Sequence, residues 1–356
     1  MNIKIITIHC IHNFGSVFQS YGLVQYLRNQ GFDAELIDYR PAYYSKGRNV
    51  VKKMLGIGLN YFAYKRQHQR YEQFINTYLP KGKIYRTIKE LRELDTENSI
   101  FIAGGDQIWN SFHPCGKDDA YKLTFVKDRK KIAYGTSMGR NSFAKEELKD
   151  LSKKIADFYS IGLREQSTVT MLQPYTQVPV YHAADPVLLL DKRDYMPFIG
   201  KEAIIKEPYL VMYLADKSSL LSQTVEYIAK KMNLKVVHVC GFRKKCECDY
   251  FFKDTGPKDL LNLIYYSDFI VSASFHATIF SVLFNKQFCT LLPEAGTNTR
   301  IEDALSYFGL SDRIIHNENE IVRLDKPIDF GNVNKLKDKL VEQSKERLNA
   351  EIEKIR

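Results

Sequence analysis

Short β-branched runs alternate with helix-length amphipathic stretches along almost the whole chain, and this alternation most restricts what it can fold into. Residues 4–11 (KIITIHCI), 33–39 (DAELIDY), 99–104 (SIFIAG), 131–136 (KIAYGT) and 159–163 (YSIGL) read as strands, with helices at 17–30, 143–158 and from Glu165 onward. A strand that rejoins its sheet after a helical crossover runs parallel to the one before, so the pattern predicts parallel sheets wrapped by helices. A second series repeats it: strands at 209–215, 235–240, 268–274 and 287–293, and helices at 219–232, 257–267, 276–285 and 301–310. A chain of 356 residues exceeds what one core usually serves. The expected organisation is therefore an α/β domain over 1–186, a second over 187–332, and a terminal helix over 333–356.

The longest uncharged apolar runs, 5–10 and 269–273, are far shorter than the ~18 residues of a membrane span. The first residues read as a strand and lack the order of a secretory signal, which suggests a cytoplasmic protein. Six cysteines are dispersed without a disulfide framework. Cys246 and Cys248, near Cys240, are separated by one residue instead of the wider gap usual for structural zinc, so no metal site is expected there.

The net charge of +10 is concentrated in one half. Residues 1–186 hold 27 Lys and Arg against 18 Asp and Glu, and 187–356 hold 25 against 24. No acidic residue lies between Asp38 and Glu72, where Arg40, Lys46, Arg48, Lys52, Lys53, Lys65, Arg66 and Arg70 mingle with Tyr43, Tyr44, Tyr61, Phe62 and Tyr64. Such a segment suits an anionic surface, whether lipid headgroups, a diphosphate or nucleic acid; it equally suits a solvated basic face.

Ligands of open α/β sheets collect where strands end and helices begin, which directs attention to four loops. In the first, Asn13, Gly15 and Ser16 precede a helix, with Gly15 allowing a tight turn and the helix start offering free N–H groups. In the second, Gly105, Asp106 and Gln107 follow a strand: Asp106 is able to take a proton from a hydroxyl, or to cap a helix beginning near Gln107. In the third, Arg164 follows a strand and offers a planar fork for a carboxylate or phosphate, or pairs with Glu165. In the fourth, Ser274, Phe275 and His276 open a helix and place donors at its start, with Asn298, Thr299 and Arg300 downstream. No G-x-G-x-x-G is present to mark a nicotinamide dinucleotide site.

Taken in order, HNFGSVFQSYGL, GGDQIWN, IGLREQS, ADPVLLL, GPKDLL, SASFHATIFSVLFNKQF and NTRIEDALSYFGLSDR resemble the polysaccharide pyruvyl transferase family over most of the chain. The resemblance implies two Rossmann-like domains facing a cleft, as in the GT-B glycosyltransferases. It also implies transfer of pyruvate from phosphoenolpyruvate, the co-substrate, onto sugar hydroxyls of a surface polysaccharide or its lipid-linked precursor, a reaction that calls for no cofactor. On that basis His276 and Asp106 are the expected catalytic acid and base. Arg164, Arg300, Ser274 and Phe275 are expected on the donor side, and Asn13, Gly15, Ser16, Gly105 and Gln107 on the acceptor side. Some members carry Arg-x-His where this chain has Ser274-Phe275-His276, so another cation, Arg300 or Lys286, is expected to compensate. The expected partners are phosphoenolpyruvate, a glycan or lipid-linked acceptor and an anionic membrane face, with no nucleic acid. A nucleotide-sugar glycosyltransferase and a non-catalytic carbohydrate- or nucleic-acid-binding protein remain the alternatives.

Overall fold

The computed structural model describes residues 2–46, 60–94, 97–127, 130–241, 243–292 and 299–356. By its own contacts the chain divides into two compact units, one of residues 1–49, 75–190 and 338–356, the other of 50–74 and 191–337. The division after Leu190 lies four residues beyond the expected one. Two segments also change sides: 50–74 joins the second unit, and the end of the terminal helix joins the first. That helix, Phe330–Ile355, starts three residues earlier than expected and is long enough to serve both. In the first unit Ser344 Oγ accepts the Ala184 N–H (2.9 Å), and Glu351 accepts the Tyr181 hydroxyl (3.1 Å).

The first unit is built on β1 (Asn2–Ile6), β2 (Asp33–Tyr39), β3 (Lys81–Tyr85), β4 (Ser99–Gly104), β5 (Lys131–Thr136), β6 (Ser160–Leu163) and β7 (Val180–His182). They form one parallel sheet in the order β3-β2-β1-β4-β5-β6-β7. The second unit holds β8 (Tyr209–Tyr213), β9 (Lys235–Val239), β10 (Tyr250–Phe252), β11 (Phe269–Ser272) and β12 (Gln287–Thr290), parallel in the order β10-β9-β8-β11-β12. Strands β4 and β5 are buried at every position, as a sheet covered on both faces requires.

In each sheet the chain reverses its direction of winding once, between β1 and β4 in the first and between β8 and β11 in the second. At such a switch point the loops leave on opposite faces and open a crevice beyond the strand ends. Among the described residues, no helix is long and apolar enough to cross a membrane.

Candidate functional site

At the switch point of the first sheet, the loop after β1 runs into the Phe14–Asn29 helix. Asn13 caps it, its side chain accepting the Ser16 N–H at 3.1 Å. The helix therefore begins three residues earlier than expected, and Gly15 sits inside its first turn with no positive φ. The tight-turn role expected of Gly15 is not what the backbone shows; an Asn side chain satisfies the helix start instead.

The loop after β4 faces this turn. Ser16 Oγ donates to Asp106 Oδ2 at 2.5 Å, while Asp106 Oδ1 accepts the Gln107 N–H at 2.8 Å. The expected helix after Asp106 does not form: a bend and turn continue to Asn110. The left-handed angle falls on Asp106, at φ +61°, and not on either neighbouring glycine. Gly104 and Gly105 are present for space. A Cβ on Gly105 would lie 2.0 Å from Gln19 Oε1, and one on Gly104 would lie 2.9 Å from Leu23. Gln19 is buried and donates to Thr7 Oγ1 and the Ser16 carbonyl, each at 3.0 Å, and Thr7 Oγ1 donates to the Gly105 carbonyl at 3.1 Å, which ties the two loops together. Gln107 accepts from the Asn110 side chain at 2.6 Å. The chain's one Trp, Trp109, is core: it is buried and donates to the Tyr121 carbonyl.

Arg164 corrects an expectation. Its guanidinium is buried, and Nη1 donates to Asp185 Oδ2 at 2.7 Å instead of presenting an open fork. Burial opposes its charge; Asp185 first, then Glu165 and Asp106, outweigh that and raise its pKa. Glu165 is occupied by the Ser137 hydroxyl. The other Asp185 oxygen caps the Pro186–Leu189 turn through the Val187 N–H at 2.9 Å. Both carboxylates thus favour its charge, Asp185 through its field and a hydrogen bond and Glu165 through its field.

Sequence reading missed a second buried group on this sheet edge. His9 Nε2 lies 3.0 Å from Asp38 Oδ1, and Arg40 grips the same carboxylate. Burial raises the Asp38 pKa, but the hydrogen bonds from His9 and Arg40 outweigh it and hold the carboxyl at about 2. His9 lies in the loop that leaves β1 and Asp38 near the end of the adjacent β2, a proximity that only the sheet order reveals.

The basic segment is also corrected. Arg40 is spent on Asp38, Arg66 pairs with Asp254 (2.6 Å) and Arg70 with Asp259 (2.8 Å). Tyr43 donates to Asp118, and Tyr44 meets the Tyr121 hydroxyl, so these rings face inward. Lys65 remains exposed beside the exposed Tyr61 and Phe62. Arg48, Lys52 and Lys53 lie outside the described residues, as does Asn298.

At the switch point of the second sheet, β11 leads into the Phe275–Leu283 helix. Ser274 caps it by accepting the Ala277 N–H at 3.4 Å, so its oxygen serves the helix. His276 and Phe275 are nearly buried, their ring centroids 5.1 Å apart and edge to face. Arg300 Cζ lies 5.5 Å from the Phe275 centroid. One aromatic ring thus has the expected imidazole and the expected guanidinium against it. Lys286 does not join them. It donates to the Ser267 carbonyl at 2.9 Å, at the opposite, amino-terminal ends of β11 and β12, which removes it as the compensating cation.

A surface hollow lined by Asn2, Glu97, Asn98, Lys130 and Arg356 lies at the amino-terminal ends of β1 and β4. That is the wrong end of the sheet for a ligand site.

A family model described as polysaccharide pyruvyl transferase matches residues 13–293. No curated protein sequence matches the chain. Among solved structures, it resembles a mutant of the O-GlcNAc transferase of Thermobaculum terrenum, at 9% identity and a TM-score of 0.47, covering 99% of this chain but only 66% of that one. It resembles the UDP-GlcNAc 2-epimerase of Methanocaldococcus jannaschii at 11% identity and a TM-score of 0.55, covering 96% and 99%. An OtsA structure gives 8%, 0.53, and 99% of both chains. The last two likenesses agree on a fold of two Rossmann-like halves.

Proposed function

Because the chain belongs to the polysaccharide pyruvyl transferase family, we propose that it moves pyruvate from phosphoenolpyruvate onto two hydroxyls of a sugar, closing a cyclic ketal and releasing phosphate. What most supports the donor assignment is the grouping of His276, Phe275 and Arg300 beyond the carboxyl end of β11. Phosphoenolpyruvate is small and carries two anionic groups, so its site needs cations and amide donors around an acid. Arg300 and the N–H groups of the Phe275–Leu283 helix start supply the former, and His276 the latter.

In this reading His276 gives a proton to the methylene carbon of the donor, leaving C2 electrophilic. A sugar hydroxyl attacks C2 and its proton passes to Asp106, whose carboxylate is already oriented by Ser16 and the Gln107 N–H. A second hydroxyl then forms the other C2–O bond, its proton returning to the imidazole of His276, as the bond from C2 to the phosphate oxygen breaks and phosphate leaves. Asn13, Gly15, Ser16, Gly105 and Gln107 shape the acceptor side. Arg164, locked to Asp185, acts as a positioning residue behind that side and not as a donor clamp. If the acceptor is carried on a lipid diphosphate, Lys65 with Tyr61 and Phe62 forms the described part of a surface for an anionic membrane face.

Thermal unfolding separates this reading from nucleotide-sugar transfer, since a ligand that binds only the folded state raises the melting temperature. Phosphoenolpyruvate is expected to raise it and nucleotide sugars are not; the reverse result would overturn the donor assignment. The His276→Ala variant is expected to lose about 100-fold or more of the turnover. Near-normal turnover would remove His276 from the chemistry.

A further inference from the structure

Phe112 is 68% exposed, yet it is firmly held. Its N–H donates to Asn110 Oδ1 at 3.1 Å, and its ring lies on the Arg140 guanidinium, with Cζ 3.9 Å from the ring centroid. Arg140 also lies 4.4 Å from the Phe143 centroid, and it donates to Ser111 Oγ (2.7 Å) and to Glu147. The cation is thus secured by Phe143, Ser111 and Glu147 without needing Phe112, so satisfying Arg140 does not account for the exposed ring.

The position of the ring points to a ligand. Phe112 ends the same loop that begins with Gly105, Asp106 and Gln107, and Asn110 links them: it bonds the Gln107 side chain and the Phe112 backbone. Gly139, at φ +69°, brings the loop after β5 against this one, since a Cβ there would lie 2.3 Å from Gln107 Oε1 and 2.6 Å from Asn110 Nδ2. Two loops at the carboxyl edge of one sheet are therefore locked together, and the loop that carries Asp106 also carries this exposed, held ring. A flat apolar surface on the same loop as a carboxylate and an amide matches a pyranose, which carries C–H groups on its ring faces and hydroxyls around its rim.

We propose that Phe112, backed by Arg140, is a stacking platform for a sugar ring of the acceptor. This rests on the reading of the chain as an enzyme acting on a glycan. Lost stacking raises the acceptor KM roughly tenfold in Phe112→Ala, with kcat and the phosphoenolpyruvate KM unchanged; Phe112→Trp restores it.

The test has an arm independent of turnover: saturation-transfer NMR of the full chain with a panel of neutral oligosaccharides and no donor present. The expected result is transfer to the C–H protons of a sugar face in the wild type and in Phe112→Trp, lost in Phe112→Ala, with all three melting alike. A wild type that contacts no sugar, or an alanine variant indistinguishable from it, overturns the proposal. The two readings fail separately. A protein that releases no phosphate from phosphoenolpyruvate yet shows Phe112-dependent contact loses the donor assignment only; full turnover with an unchanged acceptor KM in Phe112→Ala removes this platform only.

Discussion

Asp106 adopts a left-handed backbone that costs most non-glycine residues roughly 1 kcal/mol or more, and that Asp and Asn tolerate best. Asp106→Asn is therefore expected to melt close to the wild type while losing about 100-fold in turnover. Asp106→Ala is expected to lose turnover and at least about 1 kcal/mol of stability as well. Melting curves beside rates distinguish them, and an active Asp106→Asn would exclude the carboxylate as base. Asp38 makes a separate prediction about acid. Its folded pKa of about 2 lies below the usual value near ~4, so the unfolded chain binds that proton more readily. The stabilisation is complete above about pH 4 and is lost as pH falls toward 2, roughly 2 kcal/mol in all. Burial, then Lys245 and Lys244, depress His238 to about 4 in the same sense, so its share is lost between about pH 6.5 and 4. Denaturant titrations should show a shallower pH slope for Asp38→Asn in the lower window and for His238→Phe in the upper one. Unchanged slopes would contradict these assignments.

Among the elements, Pro186 packs where three glycines make room for it. A Cβ on Gly22 would meet its carbonyl oxygen at 2.3 Å, one on Gly135 its Cδ at 2.8 Å, and one on Gly105 its Cγ at 3.3 Å. Gly135 also has φ +64°. Gly135→Ala is expected to cost about 2 kcal/mol or more, read as a fall in melting temperature, because overpacking and strain add; a neutral outcome would show that the nest can relax. This nest explains why the G-G-D and A-D-P motifs, far apart in sequence, behave as one feature. The long buried strands were legible because continuous β-branched runs have few other uses. β3, β7 and β10 escaped sequence reading for physical reasons: β3 is a mostly exposed edge strand containing Gly82, and the other two have three residues each. Arg164 was placed correctly at a strand end, but its partner Asp185 is 21 residues away and is identified only by the pairing of β6 with β7. The His9–Asp38 contact was hidden for the same reason, as strand order does not follow chain order.

For the whole molecule, a surplus of positive charge in the first half is plain from sequence, whereas its availability is not: Arg40, Arg66 and Arg70 are each paired with an aspartate. Sedimentation with anionic vesicles should therefore respond to Lys65→Glu and Phe62→Ala more than to neutralising Arg66, and should weaken with salt. Equal binding by all variants would remove this helix from any membrane role. The parallel α/β fold and the two switch-point loops could be read from the chain; the burial of Arg164, the cap role of Ser274 and the remote position of Lys286 required three dimensions. The most direct test of the account is to incubate the protein with phosphoenolpyruvate and a panel of glycosyl acceptors, measuring phosphate and product mass together. The account predicts acceptor-dependent phosphate release matched by a pyruvyl gain on one class of sugar. Glycosyl transfer from a nucleotide sugar, with phosphoenolpyruvate left intact by every acceptor, would contradict it.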